Sequence, residues 1–108
     1  MELQQIVEMM IQTNKKINYL VNQLFDQGKE MANTEFKYRQ ALSVEIAKLE
    51  SQGMKVTLIP DVAKGRIAEL KLERDSAKWQ YKSSVEALKA LQAELNGLQT
   101  ISRYQSEV

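Results

Sequence analysis

The stretch Ser51-Gln52-Gly53-Met54-Lys55-Val56-Thr57-Leu58-Ile59-Pro60-Asp61 holds the strongest chain punctuation in the sequence. Gly53 suits the residue after a helix end, because it enters the left-handed region without a Cβ clash. Pro60 suits a first helical turn, and it pushes Ile59 before it away from the helical region. Asp61 then places a negative charge where a helix N-terminus favours one. Helix-rich segments of similar length lie on both sides. The fold expected is therefore all-α: an antiparallel helical hairpin with its turn near residues 51–59. The β-branched pair Val56-Thr57 leaves open a short extended stretch within that turn, able to pair with a symmetry mate.

Upstream, Leu3, Ile6, Met10, Thr13, Ile17, Leu20 and Leu24 alternate steps of three and four, the spacing of a coiled-coil seam. Val7 and Val21 widen it. The pattern breaks at Asp26-Gln27-Gly28-Lys29, since Gly costs about 1 kcal/mol relative to Ala inside a helix. Beyond it Met31, Glu35, Tyr38, Leu42, Ile46 and Leu49 follow a different phase. Either the helix continues with a shifted face or Gly28 is a hinge. The hinge is favoured, dividing the chain into a zipper-like oligomerisation helix at 1–27 and a hairpin at 28–108. Downstream, a second arm is expected from Pro60 to Tyr104. In it Ala77, Tyr81, Ser84, Leu88, Leu91, Leu95 and Leu98 repeat the three-four spacing. The polar tail from Gln99 is expected to fray.

Two arms alone hide too little surface for this apolar content. Phe25, Phe36, Leu72 and Trp79 fall partly outside the best seams and would form sticky patches. A homo-oligomeric helical bundle is expected, with Leu3, Ile6, Met10, Ile17, Leu20 and Leu24 as the oligomerisation set.

Composition limits the chemistry. The 108 residues carry 15 Lys plus Arg against 14 Asp plus Glu, with no His and no Cys. Thiolate nucleophiles, disulfides and zinc ribbons are excluded, and so are the commonest general base and metal ligand. Glu69 with Glu73, and Asp26 with Glu30, each lie one turn apart. A Mg²⁺ site built on them would lack any phosphate-holding motif, so they read as surface charge. No enzyme activity, cofactor or metal is expected. With no secretory signal and no apolar run of about 20 residues, the expected location is the cytoplasm, without membrane contact.

One basic line stands out. Lys64, Lys71, Lys78, Lys82 and Lys89 fall on a common helical strip, with Arg74 near it. Such a line can track phosphates, and Trp79 beside it can stack on an unpaired base. It equally fits a solvated coiled-coil face, because Asp75 and Glu86 share the strip. Asn14, Asn18 and Asn22 recur beside the N-terminal seam, where Asn either fixes register or forms a polar flank. Met9, Met10 and Met54 suit either an adaptable protein-binding surface or ordinary packing.

The segment Tyr38-Arg39-Gln40-Ala41-Leu42, then Leu49 through Gly65, then Ala68 through Ala77 and Tyr81-Lys82-Ser83-Ser84, resembles a family of small α-helical phage and prophage proteins of Gram-positive bacteria. The resemblance covers roughly residues 36–105. It implies a phage setting, often among early replication and recombination genes, and it carries over no catalytic residue. The function expected is a non-enzymatic phage accessory or regulatory protein acting through coiled-coil protein–protein interaction, in phage DNA metabolism or against a host factor. The alternative is a single-stranded nucleic-acid-binding accessory protein using Lys64, Lys71, Arg74, Lys78, Trp79, Lys82 and Lys89.

Overall fold

The computed structural model describes residues 2–106 and is all-α: α1 (Leu3–Ser51), α2 (Ile59–Arg66) and α3 (Ala68–Ser106). No strand occurs among the described residues, so Val56-Thr57 lies in a turn rather than an extended stretch. By contacts the chain divides into two compact units. One combines Met1–Asp26 with Lys82–Val108, and the other is Gln27–Tyr81.

The turn forms as its residues dictate. The Gly53 N–H donates to the Glu50 carbonyl and the Met54 N–H to the Leu49 carbonyl, at 3.1 and 3.2 Å. This pair of bonds is a Schellman motif, and it requires the left-handed φ of +78° that Gly53 adopts. Met54 closes the motif by packing on the cluster of Leu49, Ile59 and Ala63, joined by Leu42, Ile46 and Val62. Pro60 occupies the first turn of α2, where its missing N–H costs nothing, and Asp61 stands in the same turn.

Two expectations are revised. The second arm is not one helix, because it breaks at Ile67, which leaves helical geometry at φ −111° and ψ 27°. Gly65, just upstream, weakens α2 and makes the break cheap. Conversely, α1 is one helix through Gly28 rather than two, and the division into contact units falls close by, between Asp26 and Gln27. A Cβ at Gly28 would meet only Tyr81 Cε2, at 3.7 Å, an ordinary contact. The seam persists across this region through polar residues. Gln27, Met31, Thr34 and Tyr38 continue the three-four spacing from Leu24, and all are buried or half-buried. Thr34 is satisfied within its own helix, its hydroxyl donating to the Glu30 carbonyl at 2.9 Å.

Within Gln27–Tyr81 the pairing is antiparallel: Gly28 faces Tyr81, Glu35 and Tyr38 face Arg74, and Glu45 faces Arg66. In the other unit, Thr13 and Glu94 line one open cleft. There Ile6, Thr13 and Leu98 are buried, while Leu88, Leu91 and Leu95 are half-buried. The α3 seam is the one expected, and helix extends through the polar tail to Ser106.

Candidate interaction surface

The N-terminal seam is used inside the chain. Ile6 is fully buried, and Met10, Ile17, Leu20 and Leu24 are half-buried; only Leu3 of the set is exposed. These side chains belong to the unit that α1 forms with the later part of α3, so most of their apolar surface is already spent. Thr13 joins them without an unmet polar group, because its hydroxyl donates to the Met9 carbonyl at 2.8 Å. Asn14, Asn18 and Asn22 are all exposed on the outer flank of α1 rather than in the seam. Met10 is half-buried, Met9 is exposed, and Met54 packs under the turn.

The basic line is less uniform than its wheel position implies. Lys71 lies 3.1 Å from Asp75, and Lys89 lies 3.2 Å from Glu86. Lys64, Lys78 and Lys82 are exposed with no acidic group within salt-bridge distance among the described residues. Arg74 faces the other way. Its guanidinium stacks 4.1 Å above the Tyr38 ring, 3.6 Å from Glu35 and 2.9 Å from Asp75. That geometry makes Arg74 a seam residue, a role hidden in sequence by the usual outward reading of Arg. The hydrogen bond to Asp75 raises the Arg74 pKa further, keeping it charged at any working pH. In return Arg74, and then Lys71, hold the Asp75 carboxyl below its ordinary range.

Several large apolar side chains are strongly exposed. Phe25 (69%), Phe36 (64%), Leu72 (68%) and Trp79 (72%) stand on the outside of α1 and α3, well off the seam. Near the start of α3, Lys37, Gln40, Ala41, Val44, Glu45, Ile67 and Leu70 line an open groove of about 420 Å³. Sequence periodicity missed this groove, because Ala41 and Val44 lie to one side of the seam rather than on it. The adjacent half-buried pair Ala41-Leu42 was the available signal, since it marks an apolar stripe wider than two helices need.

Glu69, Glu73, Asp26 and Glu30 are all exposed. No group of three or more His, Cys, Asp or Glu able to hold a metal ion occurs among the described residues. No described helix is long and apolar enough to cross a membrane. Comparison with known protein families, curated proteins and solved structures returns no match to this chain.

Proposed function

We propose that this chain is a non-enzymatic phage accessory or regulatory protein that works by coiled-coil protein–protein interaction in the host-cell cytoplasm. Its target is a component of phage DNA metabolism or a host factor. The observation that carries this reading is the outward exposure of Phe25, Phe36, Leu72 and Trp79 on helices whose seams are already occupied. Aromatic and long aliphatic groups held on a helix exterior are the usual anchors of protein interfaces. Self-assembly belongs to the same reading, with faces other than the intramolecular seam doing the work.

A second reading has its own observation. Trp79 is open to solvent beside Lys78, which carries no acidic partner among the described residues. An indole next to a free ammonium is the arrangement that stacks a base and holds its phosphate. The stripe Lys64, Lys71, Lys78, Lys82 and Lys89, with Trp79, would then bind single strands. Arg74, engaged with Tyr38, would not take part.

Affinity capture from infected or lysogenic cells, with and without nuclease, tests both. Nuclease-resistant capture of a defined protein, lost on Phe36→Ala with Trp79→Ala, is the expected result. Capture abolished by nuclease favours the nucleic-acid reading. Affinity for labelled single strands would then fall steeply with salt and vanish on Lys78→Glu.

A further inference from the structure

The unit Gln27–Tyr81 carries large apolar groups on two opposite outer faces. By helical angle Phe36 lies roughly 160° round α1 from the seam line of Thr34, Tyr38 and Leu42. Leu72 and Trp79 lie at least roughly 160° round α3 from Leu70, Ala77 and Tyr81. Each face mixes large side chains with small ones. Ala32 stands one turn before Phe36, and Ser76 stands between Leu72 and Trp79, both exposed. Pairing like with like would cover one of these faces and leave the other open.

Charge decides between the pairings. Lys37 directly follows Phe36 and Glu73 directly follows Leu72, so the two lie on the same flank of their ridges, about 100° round. Glu69, one turn before Glu73, shares that flank. All three are exposed, with no opposite charge within salt-bridge distance among the described residues. In an antiparallel helix pair corresponding flanks meet, and their charges set the orientation. Antiparallel α1 on α1 would set Lys37 against its copy, and α3 on α3 would set Glu69 and Glu73 against theirs. Only α1 on α3 brings the free cation to the free carboxylates. The opposite flank adds little demand, because Arg39 is held by Glu35 and Lys71 by Asp75 within their own helices.

Shape agrees with charge. Antiparallel helices advance by equal rises, so seating Phe36 between Leu72 and Ser76 brings Lys37 level with Glu73 and Trp79 over Ala32. Large side chains then enter gaps beside small ones on both helices.

We propose that the Phe36 face of α1 in one copy docks antiparallel on the Leu72–Trp79 face of α3 in the next, so that the chain assembles head to tail. A heterologous contact of this kind adds copies in a row or closes them in a ring. It covers both exposed faces with one interface. It rests on the reading of Phe36, Leu72 and Trp79 as interface anchors, and it names their occupant.

The test uses exposed positions only, in the full chain. The mass of the wild-type chain in sedimentation should rise with concentration past that of a dimer. Phe36→Asp spoils one face and Trp79→Asp the other, so each variant alone should be monomeric with unchanged helical circular dichroism. Mixed, they should form a pair that stops at one to one, each giving its intact face. The lack of Cys allows a second readout. Asn33→Cys mixed with Ser76→Cys should form disulfide-linked pairs at least about tenfold faster than either variant alone, because docking raises the local thiol concentration. A monomeric wild-type chain overturns the inference. So does Phe36→Asp that self-associates alone, a mixture that stays monomeric, or disulfides that form as fast within one variant as in the mixture. Nuclease-resistant capture of a different protein by a monomeric wild-type chain would leave the binding reading standing and remove only this contact.

Discussion

The two compact units bury their seams by different means. In Gln27–Tyr81 the helices are joined by directional contacts: Arg74 against Tyr38 and Glu35, Arg66 toward Glu45, and the capped turn over Leu49, Ile59 and Ala63. In the unit built from Met1–Asp26 and Lys82–Val108 no ion pair links the two segments among the described residues. There the seam is aliphatic, with Ile6 and Leu98 buried and Leu88, Leu91 and Leu95 half-buried. Polar contacts fix register, because a slip leaves charges unpaired, whereas a row of similar aliphatic side chains accepts a slip at smaller cost. Unit Gln27–Tyr81 thus holds its own helices in register by polar contacts, and the other holds its two segments mainly by aliphatic burial.

The sharpest break of this contrast is a pair of truncations. Leu49 and Ile6 are both fully buried. Leu49→Ala should lower the unfolding free energy by about 3 kcal/mol, the usual cost of an aliphatic cavity. Ile6→Ala should cost about 2 kcal/mol, and its effect on amide exchange should stay within residues 3–26 and 82–106. Equal and global effects on exchange would erase the distinction between the units. Gln27 gives the next effect. Its side-chain oxygen is buried without a hydrogen-bond partner. Gln27→Leu should therefore stabilise the chain by about 1 kcal/mol in denaturant unfolding, because a buried unmet acceptor is removed.

The smallest effect is a pH dependence. The Asp75 carboxyl is held down chiefly by the hydrogen bond from Arg74 and next by Lys71. A depressed carboxylate contributes stability above its unfolded pKa and loses it as pH falls through the lower folded value. The thermal midpoint of Asp75→Asn should thus lie slightly below wild type at neutral pH. That gap should close in strong acid, below the ordinary carboxylate range. A gap that persists there would show that packing, not charge, makes the difference.

Much of the fold was legible because its signals are local. Gly53 and Pro60 mark the turn through backbone sterics alone, and the α3 seam from Ala77 to Leu98 follows from spacing. The continuation of α1 was not legible for a physical reason. Gln27 and Thr34 occupy seam positions, and a seam read by hydrophobicity ends where polar residues enter it. Thr34 tolerates that place by bonding its own helix backbone, a contact no periodicity reports. Arg74 was hidden likewise, since only tertiary structure shows that Tyr38 offers its ring face. The groove at Ala41 and Val44 was missed because those residues lie to one side of the seam, and its other wall, Ile67 and Leu70, comes from a segment distant in sequence.

The pairing of Met1–Asp26 with Lys82–Val108 also sets an order of events at the ribosome. At roughly 5–20 residues per second, synthesis of the intervening stretch takes about 3 to 11 seconds. Throughout that interval Ile6, Ile17, Leu20 and Leu24 have emerged without the segment that will cover them, while the turn and its cluster can already close. The nascent chain thus presents its N-terminal apolar stripe to chaperones, and to neighbouring nascent copies on the same message, before it can satisfy that stripe itself.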